Sequence, residues 1–126
     1  MSFTIRDEYG IVEKDNSVYI SDPRYGVNIE ITTFITPDDY SLITQLMTAE
    51  YSSIGKENYI QSSYSNTGSK ITTVATYTVN GTLIEQYQYH IATGQRQYKI
   101  NIEFPSSQKE YVYSDIQRFI DTFVYY

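Results

Sequence analysis

Hydrophobic and polar residues alternate with a period of two over much of this chain, and the alternation breaks at short clusters of Asn, Asp, Gly and Pro. Ile71, Thr73, Ala75, Tyr77 and Val79 recur on one side of one run, and Tyr98, Ile100, Ile102 and Phe104 on one side of another. Successive side chains of a β-strand point to opposite faces, so each run turns one face toward a core. Asn80-Gly81 and Thr93-Gly94 separate the runs; Asn-Gly suits a two-residue type I′ hairpin, in which both central residues need positive φ. Residues 70–104 therefore predict a three-stranded meander. Upstream, Phe3-Thr4-Ile5 begins a strand, Ser17 to Ser21 forms another, and Val27, Ile29, Ile31, Thr33 and Ile35 alternate with polar residues in a third. Asp15-Asn16 marks the turn between the first two, and Asp22-Pro23-Arg24-Tyr25-Gly26 the next, with Pro restricting φ and Gly free to take it positive. The polar run from Asn58 to Ser65 predicts a less regular strand at an exposed sheet edge, followed by the turn Asn66-Thr67-Gly68-Ser69.

Two segments change the period to three and four. Thr36-Pro37-Asp38-Asp39 has the chemistry of a helix start: a capping hydroxyl, Pro at the first helical position, and two carboxylates against the positive end of the helix dipole. Ile43, Leu46, Met47 and Ile54 follow at helical spacing and Gly55 closes the segment, predicting a helix over about 37–54. Pro105 ends the sheet because it cannot donate to a ladder. Ser107 and Glu110 have the spacing of a capping box, and Val112, Ile116, Phe119, Ile120 and Phe123 form the apolar stripe of a closing helix. The order β-β-β-α-β-β-β-β-α is that of an α+β domain, an antiparallel sheet of about six or seven strands with two main helices packed on it. Residues 1–126 are read as one such domain.

This order resembles the PsbP-like fold, which groups the photosystem II extrinsic subunit, a Ran-binding nuclear import factor and small bacterial proteins of the DcrB-like group. The resemblance spans nearly the whole chain. It rests on Val18-Tyr19-Ile20-Ser21-Asp22-Pro23 leading into Val27-Asn28-Ile29-Glu30-Ile31, on a helix after that strand, and on Tyr98-Lys99-Ile100-Asn101-Ile102 leading to a terminal helix that ends in Phe119-Ile120-Asp121-Thr122-Phe123. It implies a role as assembly factor, adaptor or chaperone, and it carries no catalytic signature.

Composition narrows the function classes. Hydrophobic residues make up 40% of the chain and charged ones 19%, which fits an ordered globular domain rather than a disordered tail. Cysteine is absent, which excludes a disulfide framework and thiolate chemistry. The net charge of −6, without any basic run, argues against a nucleic-acid partner, whose binding depends on clustered cations. No stretch approaches the ~18 apolar residues of a membrane span. The start Met-Ser-Phe-Thr-Ile-Arg-Asp-Glu lacks the basic and apolar regions of a secretory signal. If Met1 is the natural start, the expected location is cytoplasmic; otherwise the protein is exported or a lipoprotein with its signal removed.

His90 is the one histidine, and its strand neighbours Gln88 and Ala92 offer no carboxylate to orient it. It reads as an ordinary strand-face residue. There is no Gly-x-Ser-x-Gly elbow, no Gly-rich phosphate loop and no EF-hand spacing among Asp7, Glu8, Glu13 and Asp15. The expectation is a protein without enzymatic activity, cofactor or metal. Fifteen tyrosines and no Trp make tyrosine the residue to watch, since its apolar ring and polar tip serve both half-buried strands and interfaces. Tyr25, Tyr59, Tyr64, Tyr87 and Tyr89 are the candidate interaction surface.

The leading expectation is a protein-binding accessory domain, an adaptor or chaperone for a secreted or envelope protein, working through a sheet face or a groove between helix and sheet. A homodimer through the 58–65 edge is a further possibility. Two alternatives remain open: an acidic immunity protein masking a basic toxin, suggested by the charge and the tyrosines, and a small-ligand-binding envelope protein.

Overall fold

The computed structural model describes residues 3–34, 47–67, 70–92 and 96–123. Seven strands form one sheet: β1 (Gly10–Lys14), β2 (Ser17–Asp22), β3 (Val27–Phe34), β4 (Glu57–Asn66), β5 (Lys70–Val79), β6 (Thr82–Ala92) and β7 (Gln97–Pro105). Their spatial order is β1-β2-β3-β7-β6-β5-β4, and every neighbouring pair is antiparallel. After β3 the chain passes to the far edge, and β4 to β7 return as a meander that seats β7 beside β3. β7 is thus central, which is why its aliphatic residues are the most completely buried.

The expected turns explain the local pairings. Asp15 takes φ 53° in the β1–β2 hairpin, and Asn80 and Gly81 take φ 49° and 81° in the β5–β6 hairpin, as a type I′ turn demands. Gly26 sits at φ 70° with the Pro105 ring only 3.0 Å from where a Cβ would stand, so both backbone and space require glycine there. Thr93-Gly94 lies outside the described residues, but the pairing of Ala92 with Gln97 shows that β6 turns back into β7.

One long helix packs on the sheet among the described residues, not two. It is α2 (Lys109–Thr122), preceded by a 3₁₀ turn at Ser106–Gln108. Of the helix expected over about 37–54, residues 35–46, with Thr36-Pro37-Asp38-Asp39 and Leu46, fall outside the described residues; the part within them has a single turn, α1 (Ala49–Ser52). Met47 is buried as its spacing implies, whereas Ile54 lies beyond α1 and is exposed. The first strand also differs: residues 3–6 are not in the sheet, and β1 begins at Gly10. The Thr4 amide donates instead to the Thr122 hydroxyl at 2.8 Å, and Phe3 packs edge-on to Phe119 at 5.0 Å, so this segment runs along α2. The capping box does not form either. The 3₁₀ turn makes Gln108 the N-cap, without a side-chain bond, and leaves Ser107 one residue ahead of it, while Ser106 donates to Glu85 Oε2 at 2.9 Å.

The principal core lies between α2 and one sheet face. Val112, Ile116 and Phe119 meet Ile20, Ile29, Ile31, Ile100, Ile102 and Phe104 there. A smaller cluster of Met47, Ile71 and Phe34 lies apart from it. Burial of a large aliphatic or aromatic side chain is worth about 1.5–3 kcal/mol, so the helix-side core dominates stability.

Candidate functional site

The faces of β5 and β7 meet different surroundings. Register places Val74 opposite Tyr87, and Tyr87 opposite Ile102, on the helix side. Ile71, Thr73, Ala75 and Tyr77 therefore project from the other face, although they look like the same kind of core-facing set as Tyr98 to Phe104. On that outer face, Thr73 pairs in register with Gln88, and Gln88 with Asn101. Thr73, Gln86, Gln88, His90 and Gln97 are all buried there.

Buried polar groups must find partners, and here they form a connected chain across three strands. Thr73 Oγ1 donates to Gln88 Oε1 at 3.2 Å, Gln88 Nε2 to Asn101 Oδ1 at 3.2 Å, and Asn101 Nδ2 to Glu103 Oε2 at 3.1 Å. The other oxygen of Glu103 accepts from Gln86 Nε2 at 3.5 Å and from the Tyr77 hydroxyl. Glu103 is thus where the donors of β5, β6 and β7 converge. His90 Nε2 donates to Gln97 Oε1 at 2.8 Å, with an amide rather than a carboxylate as partner.

This network floors a polar cavity of about 290 Å³. Glu30 from β3 and Lys56, which precedes β4, complete its wall together with Lys99, Gln86 and Glu103. Lys56 Nζ lies 5.5 Å from the centre of the Tyr77 ring. Burial pushes the Lys99 ammonium below the usual lysine range, and the nearby Lys56 charge adds to this while Glu30 opposes it. Burial likewise lowers the His90 pKa, against the bond to Gln97. Among the described residues no three His, Asp or Glu side chains converge as a metal site, and no helix is long and apolar enough to cross a membrane.

Two fully buried groups with depressed pKa values, Asp22 and His90, govern how stability falls in acid. The hydrogen bond from Arg24 holds the Asp22 carboxyl below its ordinary 3.8, and burial holds His90 below 6.5. In each case the unfolded chain takes up the proton first, so stability is full above the unfolded value and falls as pH drops toward the folded one. Urea midpoints should decline in two steps, below pH 6.5 and again below pH 3.8. The slope of the first is at most about 1.4 kcal/mol per pH unit. His90→Gln should remove the first step and leave the second; a first step that persists in this variant would assign it to another group.

The five expected surface tyrosines occupy separate places. Tyr25 stacks on Tyr111 of α2 at 5.7 Å under the Arg24 guanidinium. Tyr87 is buried against Phe104, its hydroxyl donating to Glu85 Oε1 at 3.3 Å. Tyr89 is half-buried and lines a groove of about 280 Å³ between sheet and helix, with Ile91, Ile120 and Phe123. Tyr59 and Tyr64 lie on β4, half-buried and exposed respectively. The tyrosine pattern does not reach Gln86, Gln88, Lys99, Asn101 and Glu103. Their signal is present as polar residues at every second position of two adjacent strands, but only the register joins them.

The sheet ends in two different edges. β4 is the expected one, and its pairing with β5 shifts register between Glu57 and Ile60 and again between Gln61 and Ser63. β1 pairs with β2 without a break, and all five of its residues are exposed, Ile11 at 51% and Val12 at 62%. Val12 stands opposite Tyr19, which is also exposed.

No family model and no curated protein sequence matches the chain. Solved structures do match. LpqN of Mycobacterium tuberculosis, involved in cell envelope biogenesis, superposes with a TM-score of 0.66 at 11% identity, over 96% of this chain and 80% of that one. Cyanobacterial PsbP from Synechocystis sp. PCC 6803 gives 0.67 at 12% identity, over 95% and 83%. PA94 from Pseudomonas aeruginosa gives 0.59 at 8% identity, over 95% and 99%. At such identities the likeness concerns architecture, and the seven-stranded antiparallel sheet under a C-terminal helix identifies the chain as having the PsbP-like fold.

Proposed function

We propose that this is a non-enzymatic accessory domain that binds an extended segment of a partner protein along β1, in an envelope or secretory setting. The observation that carries this reading is the β1 edge. It is regular, contains no Pro and has no register shift, and it exposes Ile11 on one face and Val12 on the other. An incoming strand would take up its outward N–H and C=O groups, while Ile11 and the Val12–Tyr19 pair would supply apolar contacts on both sides. The register shifts of β4 blunt the opposite edge. The similarity of fold to LpqN, a protein of cell envelope biogenesis, supports the setting.

The tagged domain should capture one discrete protein from an extract of its source cells. Binding should persist as salt rises, because main-chain hydrogen bonds and apolar contacts are little screened. Val12→Lys should weaken capture at least tenfold while leaving the unfolding midpoint unchanged, since Val12 is exposed. Release by moderate salt together with indifference to Val12→Lys would overturn the edge reading in favour of an acidic inhibitor of a basic toxin, for which the net charge of −6 speaks. A homodimer broken by Val12→Lys would assign the edge to a second copy instead.

A further inference from the structure

The groove of about 280 Å³ between the sheet and the end of α2 has an apolar floor and a single charge at its mouth. Lys70 of β5 pairs in register with Ile91 of β6, and Tyr89 of β6 with Ile100 of β7, so the floor crosses three strands. Two strand spacings make that path roughly 10 Å long. Exposure falls along it: Lys70 is exposed, Tyr89 half-buried, Ile91 8% exposed and Ile100 fully buried. Ile120 and Phe123, both half-buried, line it from the helix side. The mouth has the opposite character. Lys70 is the one charged residue among the described residues that line the groove, and it has no carboxylate within ion-pair distance among them. Its ammonium lies 5.6 Å from the centre of the Tyr89 ring. The Thr67 amide and hydroxyl both donate to the Lys70 carbonyl, at 3.0 and 3.2 Å, which fixes the turn that presents it. Asp121 of α2 is the carboxylate whose charge reaches Tyr89, but it is exposed to solvent and does not line the groove.

One uncompensated cation therefore stands at the open end of a narrow apolar path. From this we infer that the groove binds a medium-chain fatty acid, its carboxylate on Lys70 and its chain laid over Ile91 and Ile100 beside Ile120 and Phe123. Size and shape support a single alkyl chain. A cavity of about 150 Å³ lined by aliphatic and aromatic side chains holds a benzene ring, so the present groove has room for several methylenes but not for a helix. Burying them takes apolar surface out of water on both sides. A neutral hydrocarbon leaves the ammonium without a counter-charge, and a small inorganic anion leaves the apolar floor wet. The site is separate from the β1 edge, which lies at the other end of the sheet from β4 and β5, so the two readings stand or fall independently.

The test uses the whole chain and four defined probes, octanoate, butanoate, 1-octanol and octylammonium, followed by calorimetry and by NMR of the isoleucine methyl groups. Octanoate should bind saturably and at least about tenfold tighter than butanoate, because each buried methylene adds to affinity. It should also bind at least about threefold tighter than 1-octanol or octylammonium, the range of an ion pair at a solvated mouth. The methyl signals of Ile91, Ile100 and Ile120 should shift, and that of Ile11 on β1 should not. Lys70→Glu alters an exposed side chain, so the fold is retained, and it should reverse the preference to octylammonium over octanoate. Absence of saturable octanoate binding, shifts confined to methyl groups outside the groove, equal affinity for octanoate and butanoate, or an unchanged preference for octanoate in Lys70→Glu would overturn the inference.

Discussion

Replacing Phe119 by alanine should cost about 3–5 kcal/mol, the range for deleting a buried aromatic side chain. Phe119 is fully buried at the last full turn of α2, with Phe3 at 5.0 Å and Phe123 at 6.0 Å between ring centres. The ring thus joins two elements distant in sequence, the N-terminal segment and the end of α2, within the principal core. The cavity left behind has little chance to collapse, because Phe119 is fully buried among the side chains of the principal core. Phe119→Leu keeps most of the volume and should cost less than about 1.5 kcal/mol. Urea unfolding of the three proteins measures both numbers. A cost below about 1 kcal/mol for the alanine variant would mean that α2 does not provide the principal core.

Glu103→Leu should cost about 2–3 kcal/mol, and for a different reason. The substitution leaves the apolar core untouched and instead removes the acceptor shared by Asn101, Gln86 and Tyr77. Each donor that loses its acceptor pays for its own desolvation, tempered here because Glu103 and Asn101 are only half-buried. Glu103→Gln retains an acceptor oxygen and the shape of the side chain, so its cost should be about 1 kcal/mol. The ordering of Leu above Gln, read from urea midpoints, is the decisive result. If leucine proves neutral or stabilising, the outer face is held by β-pairing alone and the polar chain contributes nothing to it.

Phe119 and Glu103 also differ in how far the amino-acid sequence alone reveals them. Phe119 belongs to the stripe Val112, Ile116, Phe119, Ile120 and Phe123, whose periodicity announces both a helix and its buried side. Glu103 stands on the polar side of a strand whose apolar side is evident, and nothing local distinguishes it from a solvated glutamate. Its role arises from Tyr77, 26 positions away, and Gln86, 17 positions away. The tyrosines divide in the same way: Tyr87 and Tyr89 are two residues apart on one strand, yet one is sealed against Phe104 and the other opens onto the groove beside Ile120 and Phe123. Ser107 illustrates the reverse error. The capping-box spacing is present, but a 3₁₀ turn intervenes, and the hydroxyl that finds a carboxylate is that of Ser106.

By itself the amino-acid sequence determined the strands of the meander, the Asn80-Gly81 hairpin, the stop at Pro105 and the apolar side of the closing helix. All of these follow from backbone sterics and from periodicities between near neighbours. Only the tertiary structure decided that β7 inserts between β3 and β6, that β5 turns Ile71 and Thr73 away from the helix, and that Glu103, Gln86, Lys56 and Lys99 share one cavity. Sheet order and facing depend on which long-range packing buries the most apolar surface, and that is a property of the assembled sheet rather than of any run within it.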